Sequence, residues 1–510
     1  MKKWVLCSVL AILAGLIFFS SCREDFEFTP TSGNLTFSKD TVFLDTVFTN
    51  IGSSTYTLKV YNRTNQNILI PEIGLQNGTE SSYRLNVDGK AGQVFTDVAL
   101  LAKDSLFVFI ETTFDIATTG ENEFLQTESL RFGSPGNFQE VELVTLVKDA
   151  IFLYPNTLAD GTKESLLLES DEEGNETRIE GFMLEDDELQ FSAEKPYVIY
   201  GYAAVSENKT LTIAAGTRVH FHENSGLLIG NNASLQIDGA LSTDGNRLEN
   251  EVIFEGDRLE PDYKNISGQW GTIWLASGSR NNTINHLTIK NATVGLLVEG
   301  DDLLDEPTLT ISNSQIHNSA NVNLWMRKAN VQGTNSIFGS AGSISLYCNI
   351  SGNYSFKHCT VANYWTSGFR NTPALVIDDD LNDNTGNDEQ NASFSNCIID
   401  GNRELEILLS NQGEGIFNYR FLNCSITFRD ARGDFSNNPL YDFSNETLFE
   451  GIQLNAETNF SNPAQYDFQL TQSSEVLNVG NLDTAQEVPL DILGNSRVST
   501  PDLGAFERQE

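Results

Sequence analysis

One six-residue sequence motif recurs five times between residues 284 and 426, and it constrains the fold more than any other feature of this chain. Its third position is Asn or His, its fourth is Leu, Ser or Cys, and its sixth is Ile or Val. Successive third positions are 27, 45, 38 and 27 residues apart, which fits one coil, two coils, one coil with an insertion and one coil. A repeated step of this length is typical of a solenoid. The five copies are residues 284–289, 311–316, 356–361, 394–399 and 421–426.

The repeat also predicts where its side chains point. The fourth and sixth positions are two apart on a strand, so both face the interior. The polar third position marks the bend before that strand, because Asn tolerates the left-handed conformation and stacked Asn side chains can hydrogen-bond between coils. Cys359, Cys397 and Cys424 share the fourth position. Core packing is therefore favoured for them over disulfides or catalysis, and Cys348 is the remaining cysteine of the folded region.

On these repeats, residues 196–430 resemble the right-handed parallel β-helix proteins, the architecture of pectate lyases and of many bacterial surface proteins. The segment Gly-Gln-Trp-Gly-Thr-Ile-Trp-Leu at 268–275 is similar to a segment of Bacteroidetes lipoproteins of this class. The endings at 491–497 and 502–507 are similar to their closing motif, which implies a C-terminal capping region at 431–510. Such proteins include lyases, hydrolases, esterases, adhesins and spacers, so the fold alone does not fix the function.

A different pattern precedes the repeats. Residues 32–148 alternate apolar and polar at period two, with Asn, Gly and Asp turns between short strands, which predicts a β-sandwich. The pattern resembles the immunoglobulin-like modules of bacterial surfaces. Residues 149–195 are more acidic and less periodic, which indicates a solvated connection. We therefore predict an all-β chain in which an immunoglobulin-like β-sandwich is followed by a right-handed parallel β-helix solenoid.

The N-terminus predicts export and a lipid anchor. Lys2 and Lys3 precede an apolar run over 4–19 that ends at Ser20-Ser21-Cys22, so residues 1–21 read as a lipoprotein signal peptide. The run is shorter than the roughly 20 apolar residues that span a bilayer. Acylated Cys22 would begin a tether at 22–31. The stretch Arg-Glu-Asp-Phe-Glu at 23–27 resembles the export tag of Bacteroidetes surface lipoproteins, which implies an outer-membrane protein exposed at the cell surface; the periplasmic leaflet is the alternative.

Charge excludes one class of partner. The chain has 70 acidic and 31 basic residues, a formal net charge of −39. A phosphate backbone would be repelled, so nucleic acid is excluded as a partner. Anionic polysaccharides are disfavoured as well, unless calcium bridges them.

An acid-rich segment at 378–389 is the candidate metal site. Asp378, Asp380, Asn382 and Glu389 fall at the first, third, fifth and twelfth positions of an EF-hand-type calcium loop. Asp383 stands where that loop has glycine, and the residues before it are strand-like, so an EF-hand is not expected. A calcium loop of another geometry and a solvated insertion both stay open.

An aromatic turn just upstream is the candidate ligand site. Tyr364, Trp365, Phe369 and Arg370 lie beside the acid-rich segment and lack apolar periodicity. Flat rings beside carboxylates and an arginine suit a sugar, which offers ring faces for stacking and hydroxyls for hydrogen bonds. Packing against the next coil is the alternative.

Other polar residues support weaker hypotheses. His220 and His222 could present paired imidazoles to a metal, but no further ligand completes a recognised spacing. A lyase would need a base, for which Arg327, Lys328 and Arg370 are candidates. A hydrolase would need two carboxylates, and no such pair can be assigned from sequence.

We therefore expect a cell-surface lipoprotein that binds a glycan or partner without catalysis. A polysaccharide lyase or glycoside hydrolase is the first alternative, and a structural spacer or adhesin is the second.

Overall fold

The computed structural model describes residues 27–31, 33–170, 174–245, 247–301, 306–379, 389–412 and 416–509. The protein is all-β, as predicted, and the only α-helix of these ranges is α1 (Leu482–Glu487). Short 3-10 turns lie at Gly78–Glu80, Ile116–Thr118, Asp186–Glu188, Pro261–Tyr263, Pro439–Tyr441 and Pro463–Gln465. No helix in the described part of the chain is long and apolar enough to cross a membrane. The chain divides into two compact units, Met1–Lys148 and Asp149–Glu510.

The first unit consists of two sheets whose inward-facing residues form one core. One sheet has the order β1-β5-β10-β11-β3, with β8 also on β5, and the other has the order β2-β4-β9-β6-β7. This arrangement fits the predicted immunoglobulin-like sandwich. The strands are β1 (Thr29–Pro30), β2 (Leu35–Phe37), β3 (Thr41–Phe48), β4 (Tyr56–Asn62), β5 (Ile68–Leu75), β6 (Tyr83–Val87), β7 (Lys90–Gly92), β8 (Val94–Leu100), β9 (Ser105–Thr112), β10 (Glu123–Ser134) and β11 (Asn137–Lys148).

The second unit contains an 11-stranded sheet in which every pairing is parallel. Its strands, in sheet order, are β12 (Ile151–Leu153), β16 (Tyr197–Ile199), β19 (Arg218–Phe221), β22 (Val252–Gly256), β25 (Leu287–Lys290), β28 (Gln315–His317), β30 (Ile337–Gly339), β32 (Thr360–Asn363), β35 (Ile398–Gly401), β38 (Ser425–Ile426) and β40 (Gln453–Leu454).

The same unit contains an 18-stranded sheet, which is parallel apart from the antiparallel pair β13–β14. Its strands are β13 (Ser165–Ser170), β14 (Glu176–Met183), β15 (Gln190–Phe191), β17 (Tyr202–Val205), β18 (Thr210–Ala214), β20 (Gly226–Ile229), β21 (Ser234–Asp238), β23 (Ile273–Leu275), β24 (Asn282–Asn285), β26 (Val294–Glu299), β27 (Leu309–Ser312), β29 (Val322–Thr334), β31 (Ile344–Lys357), β33 (Leu375–Asp378), β34 (Glu389–Ser395), β36 (Ile407–Ser410), β37 (Phe417–Leu422) and β39 (Phe449–Glu450).

The larger sheet contains two parallel ladders, because the long strands β29 and β31 run through both. We count the 11-stranded sheet as the first ladder of this unit. The second ladder has the order β17-β20-β23-β26-β29-β31-β33-β36. The other has the order β18-β21-β24-β27-β29-β31-β34-β37. The chain visits these two ladders and the 11-stranded sheet in turn, and the three share one apolar core.

The repeat positions lie as their spacing predicts. The bend residues His286, Asn313, His358, Asn396 and Asn423 all have φ between 45° and 53°. Asn335, at φ 48°, makes the bend of a further coil inside the 45-residue step. The predicted contacts between bends are present, since Asn335 Nδ2 donates to Asn313 Oδ1 at 3.1 Å. Asn396 Nδ2 lies 2.9 Å from His358 Nε2.

The interior column of cysteines is also confirmed. Cys348, Cys359, Cys397 and Cys424 are free thiols with no exposed surface. The amide of Cys359 donates to Cys397 Sγ at 3.4 Å, which places the two residues on neighbouring coils. Burial raises the pKa of the Cys348 and Cys359 thiols well above the ordinary value, so both stay protonated.

Residues 149–195 differ from the expected solvated connection. β12 already pairs with β16 in the 11-stranded sheet, and β14 and β15 pair with β17 and β18. Leu153, Phe182 and Phe191 contribute to the core. The acidic residues obscured this pattern because they lie on exposed positions between buried ones.

The C-terminal region, predicted as a cap, packs in part on the outer side of the 11-stranded sheet. β41 (Phe460–Asn462) and β42 (Asp467–Leu470) form a hairpin whose apolar residues pack on Ile337, Ala362 and Ile398, on the outer side of the 11-stranded sheet. Arg497 is fully buried there and donates to His358 Nδ1 and to the carbonyl of Gly504. The tail covers this side of the sheet because the sheet's outward residues there are apolar.

Candidate functional site

The outward face of the second ladder carries a continuous line of apolar and aromatic side chains. In β20, Leu227 and Ile229 are buried in the core, so Leu228 between them faces outward. Each later strand places one such residue directly beside the previous one. We call this line the apolar row; it consists of Leu228, Trp274, Leu297, Trp325, Tyr347, Val376 and Leu408.

A second line of side chains lies two residues after the apolar row on the last five of these strands, from β26 to β36. Since side chains alternate along a strand, these residues share the face of the apolar row. They are polar or charged and are aligned by the same register. We call this line the polar row; it consists of Glu299, Arg327, Asn349, Asp378 and Ser410.

Hydrogen bonds join the rings of the apolar row to the polar row. Trp274 Nε1 donates to Glu299 Oε2 at 2.8 Å, and Trp325 Nε1 donates to Asn349 Oδ1 at 3.3 Å. Each partner of these indoles lies on the next strand of the ladder. The Tyr347 hydroxyl donates to an oxygen of Asp378 at 2.7 Å. The three rings are therefore held in fixed orientations.

The polar row is also bonded along its length. Arg327 Nη1 donates to Glu299 Oε1 at 2.6 Å, and Asn349 Nδ2 donates to Asp378 Oδ1 at 2.6 Å. The Arg327 and Glu299 side chains remain 36% and 21% exposed, so solvent or a ligand can reach them. Trp325 and Tyr347 stack at 5.7 Å with 15° between their planes.

The two carboxylates of the polar row lie far apart. Both carboxylates of the polar row, Glu299 and Asp378, accept hydrogen bonds from neighbouring side chains. Glu299 and Asp378 are three strands apart, which at about 4.8 Å per strand gives roughly 14 Å. That is longer than the roughly 5–10 Å between the two carboxyl groups of glycosidases.

The predicted ligand residues at 364–370 divide into buried and exposed ones. Arg370 is buried, contrary to the expectation of a surface contact: its side chain is 2% exposed and pairs with Glu406, whose side chain is 0% exposed. Its Nη2 also donates to the carbonyl of Asn363 and to Asn402 Oδ1. Arg370 therefore holds the turn together and is not free for a ligand.

Tyr364 is half-buried and has structural partners. Its hydroxyl donates to Asp400 Oδ2 at 2.8 Å, and its ring packs on Phe460 and Phe468. Burial, and then the charge of Asp400, raise the pKa of Tyr364 above the usual range. Trp365 is half-buried, whereas Phe369 is 90% exposed.

A cavity of about 460 Å³ lies beside this turn. Asn402 Nδ2 donates to the carbonyl of Trp365, and Arg403 Nη1 donates to the carbonyl of Arg370, which join the cavity wall to the turn. Arginines and carboxylates contribute equally to the wall. Its residues are Asn402, Arg403, Glu404, Leu405, Arg429, Asp430, Ala431, Arg432 and Asp434. The sequence did not predict this cavity, because its wall comes from residues 402–405 and 429–434, which are not neighbours in the chain.

The candidate calcium ligands are only partly described. Asp380 and Asn382 lie outside the described residues. Asp378 belongs to the polar row, and the described residues contain no group of three or more potential ligands that could hold a metal ion. Glu389 is fully buried, and within the described ranges its carboxylate oxygens make no hydrogen bond of ordinary length and angle. Burial raises the pKa of Glu389 to about 9, which opposes ionisation of this carboxyl in the folded protein.

His220 and His222 each have a carboxylate partner. The partner of His220 lies on β22, the next strand of the sheet, and the partner of His222 follows that strand. His222 Nδ1 lies 2.7 Å from Asp257 Oδ2, and His220 Nδ1 lies 3.7 Å from Glu255, which pairs with Lys290. Burial lowers the pKa of His220, whereas the hydrogen bond to Asp257 raises the pKa of His222. The two imidazoles are thus engaged by different carboxylates.

No family model and no curated protein matches this chain. Several solved structures show distant similarity. A PapD-like domain of human CEP192 is 12% identical, with 26% of this chain and 94% of that chain covered at a TM-score of 0.16. The periplasmic chaperone SfaE is 14% identical, with 22% of this chain and 57% of that chain covered at a TM-score of 0.15.

A third similarity involves a glycoside hydrolase. The catalytic domain of a GH87 α-1,3-glucanase, solved with tetrasaccharides, is 9% identical, with 72% of this chain and 81% of that chain covered at a TM-score of 0.19. At such TM-scores none of these similarities carries a functional argument. The chain itself is an all-β protein.

Proposed function

We propose that this protein is a lipid-anchored surface protein that binds a neutral glycan along the apolar and polar rows, without catalysis. The observation that carries the proposal is the register alignment of Trp274, Trp325 and Tyr347, each with its polar edge bonded to the neighbouring row.

The proposed fold of the second unit is a right-handed parallel β-helix. Its support is the three parallel ladders that share one core, and the regular return of the chain to each ladder. The left-handed bends at the third repeat position add to this support. In such a fold the two rows would run along the axis of the helix, as an extended polymer would.

The chemistry of the rows favours a sugar. Ring faces stack on the apolar faces of sugars, and fixed carboxylate, amide and guanidinium groups can bond to hydroxyls in particular directions. Glu299, Arg327 and Asp378 sum to one negative charge, in a chain of net charge −39, so a neutral glycan fits better than an anionic one.

The anchoring part of the proposal is supported by the sequence. The apolar run, the Ser-Ser-Cys ending at Cys22 and the acidic stretch after it favour acylation and display at the surface of the outer membrane. Labelling of the protein in intact cells with a membrane-impermeant reagent tests the leaflet. Loss of membrane association in Cys22→Ala tests the acyl anchor.

Glycan binding is tested by isothermal titration of the mature chain against a panel of neutral and acidic polysaccharides. Trp325→Ala is expected to weaken binding of a neutral glycan by about 10-fold or more, which corresponds to the loss of one stacking contact. Phe369→Ala, which removes an exposed ring outside the rows, is the matched control and should bind as the wild type does. Equal affinity of the Trp325→Ala and wild-type proteins would contradict the proposal.

Catalysis is the alternative that the same panel separates. A time course of reducing ends and unsaturated products measures turnover directly. Release of either product by the wild type, and its loss in Glu299→Gln, would replace binding with a hydrolase or lyase reaction at the polar row.

A further inference from the structure

The smaller sheet of the first unit has an exposed aromatic surface on its outward side. Phe107 and Phe109 on β9 are 47% and 39% exposed, although they lie in the middle of a sheet. Their rings are 6.2 Å apart with 18° between their planes. Tyr61 lies on the adjacent strand β4. We call these three residues the aromatic face.

Two cations lie over the same rings. Lys59 Nζ is 4.9 Å from the centre of the Phe107 ring and 5.4 Å from that of Tyr61. The Arg63 guanidinium is 4.1 Å from the centre of the Tyr61 ring. The chain as a whole is acidic, with 31 basic and 70 acidic residues, so attraction of anions to this face comes only from its local cations. The same face of β9 also carries Glu111, which pairs with Arg84. The nearby Asp104 carboxylate accepts the amide hydrogen of Ser105.

The first described strand, β1, belongs to the other sheet and begins at the end of the unit where Arg63 lies. The amide of Thr29, at the start of β1, donates to the carbonyl of Asn67 at 3.1 Å. Asn67 belongs to the β4–β5 turn, which begins at Arg63. Asn67 Oδ1 accepts the amide hydrogen of Ala102 at 3.0 Å, and Lys103 Nζ donates to the carbonyl of Arg63 at 2.6 Å. Thr29, Arg63 and Lys103 therefore lie at one end of the unit.

Covalent geometry limits how far this end can lie from a lipid on Cys22. Cys22 and Thr29 are seven residues apart. A fully extended chain spans at most about 3.6 Å per residue, so the reach is about 25 Å. A surface held this close to a membrane has a high effective concentration of lipid, and weak contacts then suffice for docking.

We propose that the aromatic face, with Lys59 and Arg63, docks on an anionic lipid surface next to the anchor. Aromatic rings favour the interface between headgroups and acyl chains, and lysine and arginine attract anionic headgroups. This inference rests on the lipid anchor of the proposed function, but it concerns a different unit and a different ligand from the glycan site.

Vesicle co-sedimentation of the full mature chain carrying Cys22→Ser tests the face without the acyl chain. We expect binding to vesicles of phosphatidylglycerol and phosphatidylcholine, weaker binding at higher salt, and little binding to pure phosphatidylcholine. The double variants Phe107→Ala/Phe109→Ala and Lys59→Glu/Arg63→Glu should each reduce the partition coefficient at least about 10-fold. The paired control in the second unit is Phe369→Ala and Arg420→Glu, two exposed positions that should leave binding unchanged.

Three results would overturn the inference: no binding to anionic vesicles, equal binding of all variants, or binding to a soluble acidic polysaccharide in place of vesicles. Lys59→Gln/Arg63→Gln is a milder second variant, and thermal unfolding verifies that each variant is folded. Because neither acylation nor a glycan is present, failure here leaves the glycan proposal intact, and failure of Trp325→Ala to reduce glycan affinity leaves this one intact.

Discussion

Arg370 and Glu406 form an ion pair inside the second unit, with Arg370 Nη2 2.6 Å from Glu406 Oε1 and side-chain exposures of 2% and 0%. The two residues are 36 apart in sequence and lie on successive turns. The Glu406 carboxylate also accepts the amide hydrogens of Ala374 and Arg403. This pair thus ties together the turns that precede β33 and β36.

Removal of one partner should therefore destabilise the protein strongly. We expect Arg370→Met or Glu406→Leu alone to lower the free energy of unfolding by about 3–5 kcal/mol, since each leaves an uncompensated buried charge. The double variant Arg370→Met/Glu406→Leu should recover much of this loss. Urea unfolding of the four proteins checks the prediction, and additive losses would contradict it.

Glu389 should make the protein less stable as the pH rises. Its pKa is raised from 4.5 to about 9 by burial. Between these values the folded state holds a proton that the unfolded state has released, so stability falls by up to about 1.4 kcal/mol per pH unit. Glu389→Gln cannot ionise and should be more stable than the wild type at pH 8. Urea unfolding at pH 5 and pH 8 measures this, with exposed Glu450→Gln as control.

The same variant also tests the calcium hypothesis. If calcium raises the unfolding temperature of the wild type but not that of Glu389→Gln, the carboxylate is a ligand despite its burial. If calcium has no effect on either protein, the calcium hypothesis is wrong.

His222 should stabilise the folded protein at low pH and lose this effect as the pH rises. The hydrogen bond to Asp257 raises the pKa of His222 above 6.5, so the folded state holds its proton more tightly than the unfolded state. This contribution is present below pH 6.5 and is lost as the pH rises through the raised pKa. Asp257→Asn should therefore lower the unfolding temperature more at pH 5.5 than at pH 8.5. An equal decrease at both pH values would contradict the assignment.

The left-handed bends should tolerate glycine better than alanine. Asn396 has φ 53°, and its side chain contacts His358 and the carbonyl of Asn481. Both substitutions lose these bonds, but Asn396→Ala also places a Cβ in the left-handed region, at an extra cost of about 1–2 kcal/mol. Chemical unfolding of the two variants measures the difference. Equal stabilities would show that the bend relaxes without strain.

The four cysteines of the second unit should react only when the chain unfolds. Cys348, Cys359, Cys397 and Cys424 have no exposed surface, so a reagent in solution does not reach their thiols in the folded protein. In the Cys22→Ser protein, a thiol reagent should label them about a thousandfold more slowly under native conditions than in urea. Fast labelling of one thiol in the native protein would identify a locally open coil.

The sequence predicted the bend and the inward positions of each repeat because these signals are local. A left-handed bend followed by inward residues at the fourth and sixth positions can be read from six residues, and His286, Asn313 and Cys397 lie as expected. The aromatic turn was harder to interpret. Arg370 was predicted to contact a ligand at the surface. Its partner in the structure, Glu406, lies 36 residues away, and no pattern in the sequence links the two.

Local patterns are enough to predict an all-β chain, the positions of its repeats and the side chains that fill its core, because strand alternation and bend chemistry act over a few residues. Which outward side chains meet follows instead from how the strands pair in the folded protein. Trp274, Glu299, Arg327 and Asp378 come together through the register of successive parallel strands, whose paired residues are 22 to 29 positions apart in sequence. Pairing register depends on backbone hydrogen bonds between distant segments, and outward positions carry no core pattern that would reveal it.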